Sequence, residues 1–172
     1  SDVCSSDLAG LRWALVGRNA SKLAAVRDRL AAIRPDLAEL PLLEADAGDP
    51  ASLAAVAAQT KVVATTVGPY LQYGEPLVRA CAEAGTDYVD LTGEPEFVDT
   101  MYVAHHATAV ASGARLVHAC GFDSIPHDLG VYFAMRELRP TGPAQVRGVV
   151  RSNATFSGGT FHSAIGAFSR AK

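Results

Sequence analysis

The feature that most constrains this chain is a repeated alternation of short apolar runs and helix-patterned segments, with glycines at the joints. Residues 11–16 (LRWALV) form an apolar run that stops at Gly17 and predict a strand. Asn19 or Ser21 then caps a helix to about Ile33, with Leu23, Val26, Leu30 and Ile33 on one face. Pro35-Asp36 breaks that helix, and residues 40–44 predict the next strand. Asp49-Pro50 opens a second helix, in the N-cap and N1 positions these residue types favour. Residues 61–67 (KVVATTV) are β-branched and apolar on both faces, which suits a parallel strand covered by helices on both sides. Gly68-Pro69-Tyr70 ends that strand. Residues 75–84 predict a helix stopped by Gly85, 87–91 a strand, 95–111 a helix stopped by Gly113, and 115–119 a strand. Residues 120–130 turn into a helix that ends near Leu138. A linker at 140–143 precedes a polar, alternating strand at 145–151. A Ser-Gly-Gly-Thr turn at 157–160 leads into a last helical stretch.

Strand and helix alternating in this way predict an α/β fold built on a doubly wound parallel sheet. The composition agrees with a folded domain: 172 residues, 49% of them apolar, can bury a sizeable core. The 15 Lys and Arg against 18 Asp and Glu give a net charge of −3, with no basic block, so nucleic acid is not an expected partner. No apolar run reaches the roughly 18 residues of a membrane-spanning helix. The 3 cysteines lack the spacing of a disulfide scaffold or a zinc site, and a reducing cytoplasm is the expected setting.

Ligands of doubly wound sheets sit beyond the carboxyl ends of the strands. Five stretches fall there: Gly17-Arg18, Asp46, residues 67–70, residues 92–94 and residues 121–128. In dinucleotide folds an acid after the second strand binds the ribose 2′-OH of NAD, and a basic residue accommodates the 2′-phosphate of NADP. Gly17-Arg18-Asn19 offers no acid. Arg18 is therefore either a phosphate ligand, matched in charge and fork geometry, or a solvated residue at a helix start. Asp46 either accepts from an adenine amino group or closes an Asx turn. Thr65, Val67, Gly68 and Pro69 end the strongest strand, where a glycine lets backbone approach a ligand. Tyr70 and Tyr73 are proton donors or stacking groups, or they pack under a loop. Glu94 is a ligand contact or a first-turn helix acid. Asp123 or Ser124 caps the following helix, with Pro126 near N1 and Asp128 in the first turn. His127 either titrates near neutrality or is simply exposed. Cys81 and Cys120 read as packing residues, and His105-His106 make a poor metal pair.

The stretches ALVGRNASKL, TTVGPYLQYGEPLVRACAEAGTDYVDLTGE, CGFDSIPHDLG and SGGTFHSA resemble the saccharopine dehydrogenase-like NADP-binding family. Within it they resemble the branch of trans-acting enoyl reductases and saccharopine dehydrogenase-like oxidoreductases. The resemblance runs from Leu11 to about Ser163, with one departure at His127, where a small residue such as Ser is expected. It implies a Rossmann domain followed by a mixed α/β domain that completes the substrate site. It also implies NADP-dependent reduction, in the enoyl reductase branch on a lipid or polyketide intermediate carried by another enzyme. Gly17, Arg18, Asn19, Asp46, Thr65, Val67, Gly68 and Pro69 are the implied cofactor contacts. Tyr70, Asp123 and Ser124 are the local candidates for positioning or protonating a substrate. A peripheral membrane location and a homo-oligomer stay open. So do a saccharopine-type amino-acid dehydrogenase and a non-catalytic NADP sensor on the same fold.

In that family a strand and a Gly-rich turn, which carries the pyrophosphate on backbone N–H groups, precede the strand at 11–16. Residues 1–10 do not have that pattern, and Ser1 to Leu8 (SDVCSSDL) resemble a translated sequencing-adapter remnant. The expected organisation is a non-native leader at 1–10, a partial NADP-binding domain at 11–140, and the start of a truncated substrate or dimerisation domain at 141–172. In the strand order 3-2-1-4-5-6 the missing strand is central, so a gap is expected between the strands at 11–16 and 61–67. Weak or absent NADP binding is expected of the 172-residue chain, against binding by the intact gene product.

Overall fold

The computed structural model describes residues 11–151, 153, 165, 166, 168 and 169. The elements are β1 (Leu15–Gly17), α1 (Ala20–Ile33), a 3-10 turn (Pro35–Glu39), β2 (Leu42–Glu44), α2 (Pro50–Ala57), β3 (Val62–Thr65), α3 (Tyr70–Tyr73), α4 (Glu75–Ala84), β4 (Asp87–Asp90), α5 (Pro95–Ser112), β5 (Leu116–Val117) and α6 (Ile125–Leu138). All strand pairs are parallel: β1 with β2, β3 with β4, and β4 with β5. This is the expected α/β class with parallel sheet. Among the described residues the strands form two sheets, β1-β2 and β3-β4-β5, and no strand joins β1 to β3.

Local chemistry accounts for the element ends. The Asn19 side chain accepts from the Lys22 N–H at 2.9 Å and caps α1, while Ser21 Oγ donates to Asn19 at 2.7 Å. Asp49 caps α2 by accepting from the Ala51 N–H at 3.1 Å. Gly85 and Gly113, at φ 72 and 84, end α4 and α5 in the left-handed conformation that only glycine adopts without cost. The break between α3 and α4 is slight. Gly74 keeps right-handed helical geometry, and Pro76 has no N–H to continue the ladder.

The core lies on one face of β3-β4-β5. Val63, Tyr88 and Leu116 are in register across the three strands, and α2, α4 and α5 cover them. Tyr88, Phe97, Val78, Thr92 and Cys81 are fully buried there. Each large apolar side chain removed from water contributes on the order of 1.5–3 kcal/mol. Thr86 ties the layer together by donating to the Ala57 carbonyl at 2.7 Å.

Several expectations need correction. Helices do not cover β3 on both sides: Val62, on the opposite face from Val63, is 50% exposed, and Ala64 is exposed with it. The helical stripe of α1 buries only Leu23, and Ile33 is 78% exposed. Most importantly, residues 145–151 are not a strand. They are irregular and exposed, because no described strand offers them hydrogen-bond partners. The turn at 157–160 lies outside the described residues. Of the last helical stretch, residues 165, 166, 168 and 169 are described, and they are helical.

Candidate functional site

Two groups of residues line the carboxyl ends of the strands. The first is built by β1 and the start of α1. Gly17, Arg18, Asn19, Lys22, Leu23 and Val26 line a pocket of about 390 Å³. Gly17 packs closely on the helix: a Cβ there would sit 3.3 Å from Leu23 Cδ2, and the leucine tip would have to shift slightly. Asn19 caps the helix through its Oδ1 and lines the same pocket. Arg18 and Lys22 are exposed, and among the described residues neither pairs with a carboxylate. The first turn of α1 holds no acid. Two unpaired cations beside a helix N-terminus suit a dianionic phosphate. The donor set therefore fits the 2′-phosphate end of NADP. Asp46, after β2, closes an Asx turn by accepting from the Gly48 N–H at 2.8 Å, and it is exposed beside this edge.

The second group joins the loops after β3, β4 and β5. Thr65 is buried, and its hydroxyl accepts from the Val67 N–H at 3.2 Å. Thr66, Val67 and Gly68 follow as exposed backbone, and the Gly68-Pro69 peptide is cis. Tyr70 then turns inward. It is buried, its ring packs 5.7 Å from that of Phe97, and its hydroxyl donates to the Thr65 carbonyl at 3.2 Å. Burial raises its pKa further above the ordinary phenol value. Tyr70 thus packs under the loop, with its hydroxyl proton held by the Thr65 carbonyl. Tyr73 is 44% exposed.

Glu94 does more than the sequence indicates. Its buried carboxylate accepts from the main-chain N–H groups of Tyr70 and Leu71 at 3.0 and 3.1 Å. It therefore caps α3 from the neighbouring loop and holds the β3 loop against the β4 loop. Asp90 was not among the expected site residues. Its side chain is wholly buried at the end of β4, where it accepts from the N–H groups of Thr92 and Ala119 and from His118 Nδ1. Burial opposes its ionisation, yet the hydrogen bonds from His118, Thr92 and Ala119 outweigh that and hold its pKa below the usual carboxylate value. The Tyr88 hydroxyl is buried without a hydrogen-bond partner. Burial and the nearby Asp90 charge both oppose its ionisation. One signal was legible: Asp87–Asp90 alternates, so Tyr88 and Asp90 share the face that packs on α5.

The β5 loop carries the remaining candidates. Ser124 is the N-cap residue of α6, but neither its side chain nor that of Asp123 makes the expected cap hydrogen bond. Asp123 is exposed and lies over the β4 loop, since a Cβ on Gly93 would sit 3.8 Å from its Oδ2. His127 packs edge-on to Phe122, with ring centres 5.8 Å apart. Its Nδ1 is buried without a hydrogen bond. Cys81 is buried and free, its thiol pKa pushed up to about 12 by burial, as befits a packing residue. His105 pairs with Glu75 at 3.1 Å while His106 stacks on Tyr102, and no metal-binding cluster occurs among the described residues. Nor, among those residues, is any helix long and apolar enough to cross a membrane.

Comparison with known proteins identifies the family. The saccharopine dehydrogenase NADP binding domain matches residues 3–117. A putative trans-acting enoyl reductase of Mycobacterium tuberculosis is 48% identical over 164 residues, covering 93% of this chain and 38% of that protein. A trans-acting enoyl reductase of Mycobacterium ulcerans is 49% identical over 135 residues, covering 78% of this chain and 32% of the relative. The chain thus spans about a third of the length of these relatives. Among solved structures, apo saccharopine dehydrogenase (L-Glu forming) of Saccharomyces cerevisiae superposes with a TM-score of 0.54 at 16% identity, over 72% of this chain and 25% of that one. That likeness is one of fold. The chain belongs to the saccharopine dehydrogenase NADP-binding domain family, and its cofactor is NADP(H).

Proposed function

We propose that this chain is the cofactor-binding part of an NADP-dependent enoyl reductase that acts on a lipid or polyketide intermediate carried by another protein. The observation that carries the cofactor half of this reading is a pair of cations, Arg18 and Lys22, in the pocket beside Gly17, without a carboxylate partner among the described residues. The substrate half is supported by 48% identity to a relative named as a trans-acting enoyl reductase. When bound, NADPH supplies a hydride. Arg18 and Lys22 hold its 2′-phosphate by charge-assisted hydrogen bonds. Gly17 leaves room for the pocket, and Asp46 is placed to receive the adenine amino group. The exposed backbone of residues 66–68 lets the ligand lie against the end of β3. Asp123 and Ser124 form the rim that faces substrate, and they take the proton-handling role. The setting is lipid biosynthesis, glycolipid assembly included, in the cytoplasm or at its membrane surface.

The test is a titration of NADPH and NADH, read by nicotinamide fluorescence, on a protein of the relatives' full length. Arg18→Ala should weaken NADPH by roughly 10–100-fold and leave NADH within about 2-fold, as expected for loss of 1.5–3 kcal/mol of charge-assisted bonding. Equal loss for both cofactors would remove Arg18 from phosphate recognition. Turnover of enoyl thioesters against oxidation of saccharopine, followed by NADPH absorbance, tests the substrate. Activity on saccharopine alone would replace the enoyl reductase by an amino-acid dehydrogenase. Cofactor binding with neither activity would make the protein an NADP sensor.

A further inference from the structure

Ala119 is one of the two non-glycine residues with positive φ among those described, at φ 56. A left-handed conformation at a side-chain-bearing residue is held by its surroundings and marks a constrained turn. Here the surroundings are a single residue. Asp90 Oδ1 accepts from the Ala119 N–H at 3.0 Å and from the Thr92 N–H at 3.1 Å. Its Oδ2 accepts from His118 Nδ1 at 2.7 Å, and its main-chain carbonyl accepts from the Cys120 N–H at 2.7 Å. The His118 ring is fixed in turn between Phe97 and Tyr88, at centroid distances of 5.4 and 5.6 Å. Beyond the turn, Gly121 lies so near the β4 loop that a Cβ would meet Leu91 Cβ and Asp123 Oδ1, each at 3.0 Å.

We infer that Asp90 is a positioning residue: it clamps the β4 loop (residues 91–94) to the β5 loop (residues 118–124), and its hold on Ala119 aims the Asp123 rim across the sheet edge. This rests on the reading of that edge as the ligand edge. The clamp works by geometry rather than by charge. In Asp90→Asn the amide oxygen still accepts from Thr92 and Ala119. The amide NH₂ instead faces His118, whose Nδ1 must become the acceptor and move its proton to Nε2.

Amide exchange followed by NMR on the full-length protein tests this. Asp90→Ala should speed exchange at Thr92 and Ala119 by about 30-fold or more. The Asp87 and Tyr88 amides, bonded to Lys61 and Arg115 within the sheet, should stay within about 3-fold. Uniform acceleration over the sheet would reduce Asp90 to an ordinary core residue and overturn the inference, as would no change. If Asp90→Ala does not fold, Asp90→Asn decides the question. Its Thr92 and Ala119 amides should stay protected while ¹⁵N shifts report His118 protonated at Nε2. Loss of that protection, or an unchanged tautomer, overturns the clamp. A wild-type protein that fails to bind NADPH would count against the proposed function and leave these exchange results standing.

Discussion

The β1-β2 sheet with α1 and the β3-β4-β5 sheet with α2, α4 and α5 are both parallel and both present loops at their carboxyl ends, yet they bury very different amounts of side chain. Among the described residues, the larger sheet and its helices hold every fully buried large side chain, from Val78 to Phe97. The smaller one buries Leu23 on α1 and Leu40 before β2, and little else. Charge is divided the other way. The cationic pocket of Arg18 and Lys22 belongs to the thin half, while the loops of the packed half are held by the carboxylates of Asp90 and Glu94. Stability and phosphate recognition therefore reside in different parts of the chain. A site on the thin half is free to adjust to a ligand with little disturbance to the core.

The largest expected effect breaks the packed half. Phe97→Ala removes a ring in contact with both Tyr70 and His118 and should cost about 3–5 kcal/mol, read as a shift in the urea midpoint. Leu23→Ala, the matching change in the thin half, should cost about 2 kcal/mol, the low end for a buried leucine. Equal losses would mean that the two halves share one core. A smaller effect comes from adding volume. A Cβ on Gly74 would lie 2.6 Å from the Phe97 ring and 2.8 Å from the Tyr70 carbonyl. Gly74→Ala gains about 1 kcal/mol of helix propensity but loses roughly 1–3 to overpacking. The net result should be lower stability, measured by the same denaturation, and a gain would show that α3 and α5 can separate.

Much of this division was legible in the sequence. Asn19, Asp49, Gly85 and Gly113 marked element ends through backbone chemistry that acts within a few residues, and the structure keeps all four. Arg18 was legible for the same reason, since its place after a strand fixes where it stands. What stayed hidden depends on which segments meet. Residues 145–151 have a strand's alternation, but a strand forms only beside a partner edge, and alternation says nothing about that. Val62 looks like a buried strand residue until the covering layer turns out to lie on one face alone, and Val67 until the strand proves to end at Thr65. Asp90 and Glu94 grip N–H groups 29 and 24 residues away, and no local pattern announces those bonds.

Acid should weaken the packed half through its carboxylates. Asp90 has its pKa lowered in the folded chain, so its contribution to stability is complete above the unfolded carboxyl value near 3.9. It is lost as pH falls through the lower folded value. Asp87, held low by hydrogen bonds from the Arg115 side chain and N–H, adds to the same window at the start of β4. Denaturation midpoints should therefore fall steeply below about pH 4, and Asp90→Asn should flatten that limb. An unchanged acid limb in Asp90→Asn would assign the loss to other carboxyls.

The smallest effect is the most telling for the comparison. Asn19→Ala removes an exposed cap from α1 and should cost about 0.5–1 kcal/mol of helix stability. If the thin half opens on its own, that cost appears in the amide exchange of residues 22–30, while the urea midpoint set by the packed half scarcely moves. A midpoint that shifts by the full cost would join α1 to the Phe97 core in one cooperative unit. Phosphate recognition would then draw on the stability of the whole domain, and ligand binding would raise the midpoint of both halves together.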